Sequence, residues 1–320
     1  MTTRALVTGG GGFVGQWLGR AMLARGWEVF GAGVGRPISN IISGTDQQRI
    51  HWLEADVRSR GQVAAALDAS RPDVIVHLAG ISYVPNAADA PAEAFQVNVL
   101  GAVTLLSEVA RRRRSAALDP RLLVVGSAEQ YGCHEAADLP LVESAEQRPL
   151  TVYAASKAAQ EVVTLQTHRA DGVRAIAVRS FNHSGVGHAE HFLLPALVRR
   201  ALAARAGAPG PITIGNPDTV RDYTHVADVV EAYLALLERG TPGEVYNVCS
   251  GVGVRARALA ERVLLRAGVT AEVASDPALV RSVDVPALVG NPAKLERATG
   301  WRPLRTCDDI IDDLLHAASR

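Results

Sequence analysis

The first fifteen residues narrow the choice of fold more than any other stretch of the chain. Residues 5–8 (A-L-V-T) read as a short apolar strand, and G-G-G-G-F-V-G at 9–15 follows at once. Residues 16–25 then read as a helix with Trp17, Leu18, Ala21 and Met22 on one side. Gly9, Gly12 and Gly15 stand at G-x-x-G-x-x-G spacing, which suits a tight turn, close backbone approach to a pyrophosphate and close helix–strand contact. The helix start offers free N–H groups and a positive dipole end to phosphates. A flexible glycine loop is the plain alternative, but a strand before it and a helix behind it favour dinucleotide binding.

The second strand, 27–32, ends in G-A-G-V-G-R at 31–36, with no acid and one arginine, Arg36. An acid there would bind a ribose 2′-hydroxyl and an arginine a 2′-phosphate, so the run leans toward NADP(H), with NAD(H) as the alternative. Asp56, after a third strand, could hydrogen-bond an adenine amine or simply close a surface turn. The run D-V-I-V-H-L at 73–78 is an apolar strand of the kind buried in a parallel sheet. It ends in Ala79-Gly80, small enough for a ring to lie against the backbone. A long helix over 93–114 carries Asn98, and its terminal arginines at 111–114 suit a helix C-terminus in solvent. The strand 121–127 puts Ser127 at its carboxyl end, where open α/β sheets bind ligands. Another strand covers 172–179. Alternating strands and helices imply an α/β, Rossmann-type doubly wound parallel sheet.

After Arg179 the rhythm changes. Residues 181–187 read as a loop, 192–206 as a basic helix, 213–228 as irregular, 226–237 as helix, 244–248 as strand and 255–267 as helix. The expected organisation is a dinucleotide-binding domain over 1–178, to which 222–248 returns, and a smaller interleaved α/β substrate domain over 179–320. His183, His188 and His191 lack the spacing of a metal site and read as loop histidines near a ligand, so no metal is expected.

R-P-L-T-V-Y-A-A-S-K-A-A-Q-E at 148–161 starts a helix, with Pro149 in the approach and Thr151 as cap. Four residues apart, Tyr153 and Lys157 share one face. A phenol with an ordinary pKa of about 10 is a poor acid or base at neutral pH, and a nearby ammonium is expected to lower it. Such a pair can exchange a proton with a hydroxyl or carbonyl oxygen.

Composition bounds the partners. The 320 residues are 48% apolar and 21% charged with zero formal net charge, so no basic field calls for nucleic acid or an anionic membrane. Cys133, Cys249 and Cys307 are odd in number and far apart, as in a reduced cytoplasmic protein without disulfides. Neither a signal peptide nor a membrane-spanning run is visible.

The chain resembles the extended short-chain dehydrogenase/reductase family nearly end to end. The motifs are T-G-G-G-G-F-V-G (8–15), H-L-A-G (77–80), N-V-L-G (98–101), G-S-A-E-Q-Y-G (126–132) and Y-A-A-S-K (153–157). The nucleotide-sugar branch is closest, through R-S-F-N-H-S-G (179–185), G-N-P-D-T-V-R-D-Y-T-H-V-A-D-V-V (215–230), G-E-V-Y-N-V-C-S-G (243–251) and D-V-P-A-L-V-G (284–290). These look like the GDP-4-keto-6-deoxy-D-mannose reductases, which form GDP-D-rhamnose. Val186 where the family usually has proline, and R-S-V at 281–283 for R-P-S, bear on the exact sugar.

The resemblance implies hydride delivery from NAD(P)H to C4 of a nucleotide-linked 4-keto-6-deoxy sugar, the GDP-linked substrate above. Tyr153 would donate the proton, Ser127 would bind the same oxygen, and Lys157 would hold the cofactor ribose. Asn98 would support that helix or a proton-relay water. Gly9, Gly12, Phe13, Val14, Gly15, Arg36, Asp56, Val57, Leu78, Ala79 and Gly80 would line the cofactor. Ser82, Tyr131, Asn182, His183, Arg221 and Arg281 would line the substrate, the two arginines on its diphosphate. The family also commonly forms a homodimer through a four-helix bundle, here from the helices at 93–114 and 151–170. One alternative is a GDP-mannose 4,6-dehydratase with Glu129 as the base for the C5 proton, on the pattern Ser127-Ala-Glu129. A second is a non-catalytic dinucleotide-sensing protein, which the retention of Ser127, Tyr153 and Lys157 disfavours.

Overall fold

The computed structural model describes residues 2–35, 41–280 and 283–319. The first half of the chain contributes strands β1 (Arg4–Thr8), β2 (Glu28–Gly33), β3 (Ile50–Glu54), β4 (Val74–His77), β5 (Arg121–Val125) and β6 (Arg174–Ser180). The second half contributes β7 (Asn182–Ser184), β8 (Ile212–Ile214), β9 (Val220–His225), β10 (Val245–Val248), β11 (Gly253–Arg255), β12 (Val273–Ser275) and β13 (Ala287–Leu288). Seven of them form one parallel sheet in the order β10-β6-β5-β4-β1-β2-β3. The order reverses between β1 and β4, and a crevice at such a switch point, outside the carboxyl ends of the strands, is where this architecture takes its ligand.

Helices cover both faces of the sheet, which is why β1, β4 and β5 read as unbroken apolar runs rather than alternating ones. One face packs Leu18 and Met22 of the helix Phe13–Ala24 and Val229, Val230 and Tyr233 of the helix Val226–Arg239. The other packs Leu67, Leu105, Leu106 and Val109. A separate core gathers Leu197, Leu259, Val263, Ile311 and Leu314 in the later part of the chain.

Four expectations need correction. Residues 181–187 are not all loop, since β7 pairs with β9, and 213–228 is not irregular, since it holds the end of β8, all of β9 and the start of the helix Val226–Arg239. Strand β9 is a hub: antiparallel to β11, and parallel to β13 along its first half and to β7 along its second. Two- and three-residue strands carry no readable alternation; their identity comes from backbone pairing with distant segments. The helix expected at 93–114 is interrupted: Pro91–Phe95 is followed by a π-helical turn, Gln96–Leu100, before Gly101–Arg114. Nor is the arginine run all in solvent. Arg112 is buried against Glu108 at 2.5 Å and Asp68 at 2.7 Å.

Candidate active site

The glycine loop between β1 and the helix Phe13–Ala24 is built without room for side chains. Gly9 has φ +71°, and a Cβ there would lie 2.7 Å from the backbone N of Ala79; one at Gly15 would lie 2.5 Å from the Gly9 carbonyl oxygen. Gly12 is the N-cap, so no side chain covers the first-turn N–H groups around Phe13, Val14 and Gly15. That cradle fits a dinucleotide pyrophosphate. Leu78 and Ala79 are half-buried and Gly80 exposed at the end of β4. A Cβ on Gly80 would lie 2.8 Å from Asn98 Oδ1 and 3.4 Å from Lys157 Nζ, so the cradle opens directly onto the tyrosine–lysine helix. Asp56 is engaged by Arg58, at 2.6 Å between side chains, which holds its carboxyl below its ordinary range. Val57 is buried and faces Gly101. Arg36 lies outside the described residues.

Thr151 caps the helix Val152–Asp171 by accepting from the Ala154 N–H at 3.1 Å. Lys157 is buried, and its ammonium donates to the Val125 carbonyl at 2.8 Å and to Gln160 Oε1 at 2.9 Å. Burial brings its pKa down to about 8. Tyr153 does not behave as expected from the spacing. Burial pushes its phenol up to about 12, the Ser127 hydroxyl beside it pulls the other way, and the charge of Glu129 adds to the rise. The ammonium is turned to Val125 and Gln160, so it does not bring the phenol down. A phenol in this range is protonated at neutral pH, the state a proton donor needs.

Ser127 sits just past β5 and accepts from the Glu129 N–H at 3.2 Å, opening a short 3-10 turn. Asn98, fully buried in the π turn, accepts from Ile81 N–H at 2.7 Å and donates to Ile81 O at 3.1 Å and Ser156 Oγ at 2.9 Å. A π turn adds a residue to one turn of helix and so redirects a side chain; here it lets Asn98 clasp the loop after β4. At the carboxyl ends of β1 and β4, Thr8 Oγ1 and His77 Nδ1 share a buried hydrogen bond of 2.7 Å.

The expected substrate residues divide. Ser82 is exposed in the loop after β4, and Asn182 and His183 are half-buried on β7. Tyr131 is a correction: it is fully buried, and its hydroxyl donates to Asn247 Oδ1 at 2.7 Å, so it turns into the core and not into the crevice. Arg221 pairs with Asp284 at 3.1 Å and not with its neighbour Asp222, because adjacent strand residues point to opposite faces. Asp222 instead accepts from the N–H groups of Ser250, Gly251 and Gly290. Arg281 lies outside the described residues. Sequence reasoning missed a ladder of rings at the crevice mouth. Phe13 stacks on His188 at 4.6 Å, His188 on Phe192 at 4.2 Å, and Tyr83 meets His191 at 4.3 Å. The only sign of it was the density of histidine and phenylalanine over 181–192. Among the described residues no group of three His, Cys, Asp or Glu is placed to hold a metal ion.

A glycine cradle at the switch point of a parallel sheet, with serine, tyrosine and lysine beside it, defines an extended short-chain dehydrogenase/reductase of the nucleotide-sugar branch. Within that class, the chain belongs to the family described as GDP-mannose 4,6 dehydratase, whose model matches residues 6–314. It is 36% identical over 319 residues to the GDP-6-deoxy-D-mannose reductase of Pseudomonas aeruginosa, covering 98% of this chain and 97% of that one. Among solved structures it is similar to RMD from Pseudomonas aeruginosa complexed with NADPH, with a TM-score of 0.81 and 30% identity over 99% of this chain and 100% of that one. It is also similar to the Thermus thermophilus UDP-glucose 4-epimerase in complex with NAD, with a TM-score of 0.85 and 28% identity over 98% of each chain.

Proposed function

We propose that this protein reduces the C4 ketone of GDP-4-keto-6-deoxy-D-mannose to give GDP-D-rhamnose, with NADPH preferred over NADH. The observation that carries the reading is the placement of the Tyr153 phenol beside the Ser127 hydroxyl, on the helix whose Lys157 faces the cofactor cradle. The likeness to a GDP-6-deoxy-D-mannose reductase over nearly the whole chain supports the reductase over the dehydratase reading. The cradle residues Gly9, Gly12, Phe13, Val14 and Gly15, with Leu78, Ala79 and Gly80, hold the dinucleotide, and when bound its nicotinamide supplies hydride. As negative charge develops on the C4 oxygen, Tyr153 gives it the phenolic proton and the Ser127 hydroxyl hydrogen-bonds to it. Lys157 holds the cofactor ribose from Gly80's side. Asn98 keeps the loop after β4 against that helix.

On the substrate side, Arg221 and Arg281 meet the diphosphate with Asn182 beside them, and Ser82 and His183 the sugar. Binding then requires Arg221 to divide its guanidinium between Asp284 and phosphate oxygens. We further infer that residues 1–178 with 222–248 are the dinucleotide-binding part and 179–320 the substrate part, as the entry of β10 into the main sheet supports. Phe95 at the end of the helix Pro91–Phe95, Leu100 at the end of the π turn and Val162 on the helix Val152–Asp171 are 40%, 54% and 59% exposed, which supports a homodimer through a four-helix bundle. Three free cysteines support a cytoplasmic setting, and no helix among the described residues is long and apolar enough to cross a membrane.

The test offers the purified protein NADPH, then NADH, with GDP-4-keto-6-deoxy-D-mannose and follows nicotinamide absorbance. Oxidation of NADPH that Tyr153→Phe abolishes is the expected result. Turnover of GDP-mannose without net loss of nicotinamide would overturn the reading in favour of Glu129-driven dehydration.

A further inference from the structure

Behind Ser127 runs a set of buried polar side chains that the chemistry above does not use. The Ser127 N–H donates to Gln130 Oε1 at 2.8 Å, and Gln130 Nε2 donates to Glu161 Oε2 at 2.9 Å and to Gln147 Oε1 at 3.2 Å. Gln147 Nε2 donates to the other carboxylate oxygen, Glu161 Oε1, at 2.6 Å. Arg179, on β6, grips the same carboxylate with both arms of its fork, Nε at 2.8 Å and Nη2 at 2.7 Å. Gln130 is fully buried, and Glu161 and Arg179 are each 4% exposed.

The placement of these groups is informative. Glu161 stands one turn beyond Lys157 and two beyond Tyr153, so the face that carries the reacting pair also carries the anchor. Gln130 folds back over Gly126: a Cβ at 126 would lie 2.4 Å from its Oε1. On the opposite side, Lys157 holds the Val125 carbonyl at 2.8 Å. The two residues on either side of Gly126 are thus tied to the tyrosine helix, one by Lys157 directly and one by Gln130 through Glu161. A buried ion pair is weak evidence for stability, because an apolar replacement is often neutral or better. Orientation is the role that this arrangement serves.

We propose that Gln130 is a positioning residue, anchored by Glu161 and Arg179, which holds the Ser127 backbone so that its hydroxyl meets both Tyr153 and the substrate carbonyl oxygen. The proposal rests on the ketoreductase reading above. It predicts that a side chain of the same length without the amide leaves cofactor and substrate binding alone and slows the step in which Ser127 and Tyr153 act together.

The experiment compares the full-length protein with Gln130→Met and Gln130→Glu, measuring NADPH binding by fluorescence and steady-state reduction of GDP-4-keto-6-deoxy-D-mannose from pH 5.5 to 9. In Gln130→Met, kcat should fall about tenfold, as for other groups that align a reacting side chain, while KM and NADPH affinity stay within about twofold. In Gln130→Glu the introduced carboxylate faces Glu161 and Arg179, two anions against one cation, so one proton must be shared for the set to close. Its kcat should therefore recover toward acid pH, relative to the parent, and fall toward alkaline pH. Parent-like kcat in Gln130→Met would overturn the proposal, as would a fall in kcat matched by equal losses in NADPH affinity and KM. A parent protein that leaves NADPH untouched would instead sink the ketoreductase reading.

Discussion

The two walls of the crevice are built differently. The proposed catalytic wall stands on a strand inside the main sheet, β5, and on the long helix Val152–Asp171, and its polar groups are buried and bonded: Lys157 to Val125, Ser127 to Gln130, Glu161 to Arg179. The proposed substrate wall stands on strands outside the main sheet, and its groups lie nearer the surface: Arg221 is shared between Asp284 and the Val220 carbonyl, and the rings of Phe13, His188 and Phe192 stack on one another. Chemistry that moves a proton depends on angle and distance to a few tenths of an ångström, and buried, fully bonded side chains hold such tolerances. Recognition of a nucleotide sugar needs groups free to exchange one partner for another, and a half-buried ion pair or a ring stack can do that.

The sharpest way to break the contrast is at Tyr153. Tyr153→Phe should lower kcat by roughly 10²–10⁴-fold, the range for loss of a general acid, with NADPH affinity unchanged by fluorescence titration. Loss of NADPH affinity of the same size would show the phenol to be part of the cofactor site and not of the proton transfer. Next in size is the anchor: Glu161→Ala strips Arg179 of its partner and should cost about 3–5 kcal/mol in denaturant unfolding, as for other broken buried pairs. Asp284→Ala on the other wall should cost less, about 1–2 kcal/mol, because Arg221 keeps the Val220 carbonyl. Arg221→Ala should raise KM for the sugar nucleotide by roughly 10- to 150-fold, a lost charge-assisted phosphate contact being worth roughly 1.5–3 kcal/mol of binding, and leave kcat nearly unchanged. If the two walls gave equal stability losses, the contrast between them would fail.

A further check is in pH. Lys157 has a folded pKa of about 8, below its ordinary value, so the unfolded chain binds more protons than the folded one above that pH. Its contribution to stability should therefore rise as pH climbs from about 8 toward 10.5, and Lys157→Met should remove that rise from pH-dependent unfolding curves. Tyr153, pushed up to about 12, acts in the opposite sense above pH 10, where the unfolded phenol ionises first. On the acid side His77 and His188 are held to about 3 by burial, so stability should fall as pH drops below 6.5. A flat profile through both windows would mean that these groups are hydrated in solution.

How much of this could be read in advance follows from where each element gets its stability. The strands of the main sheet carry their signal in their own residues, and the strands at 5–8, 73–78 and 121–127 were legible within a residue or two. Asn98 was legible as important but its partners were not: a π turn aims it at Ile81 and Ser156, 17 residues before it and 58 after it. Tyr131 resembled a crevice residue on its motif and lies in the core instead, because Asn247 from β10 is there to take its hydroxyl.

The sequence by itself determined the glycine cradle, the alternation of strands and helices, the Tyr153–Lys157 spacing and the absence of a charge bias, all of which are local or compositional. Only the tertiary structure decided the partners: which carboxylate meets Arg221, which carbonyl takes the Lys157 ammonium, what holds Ser127, and which short segments pair with β9. Asp284 is 63 positions from Arg221 and Val125 is 32 from Lys157. Although Gln130 is only three residues from Ser127, the Glu161 that anchors it is 31 further on. A side chain's partner is chosen by distance and burial in the folded chain, neither of which a linear order contains.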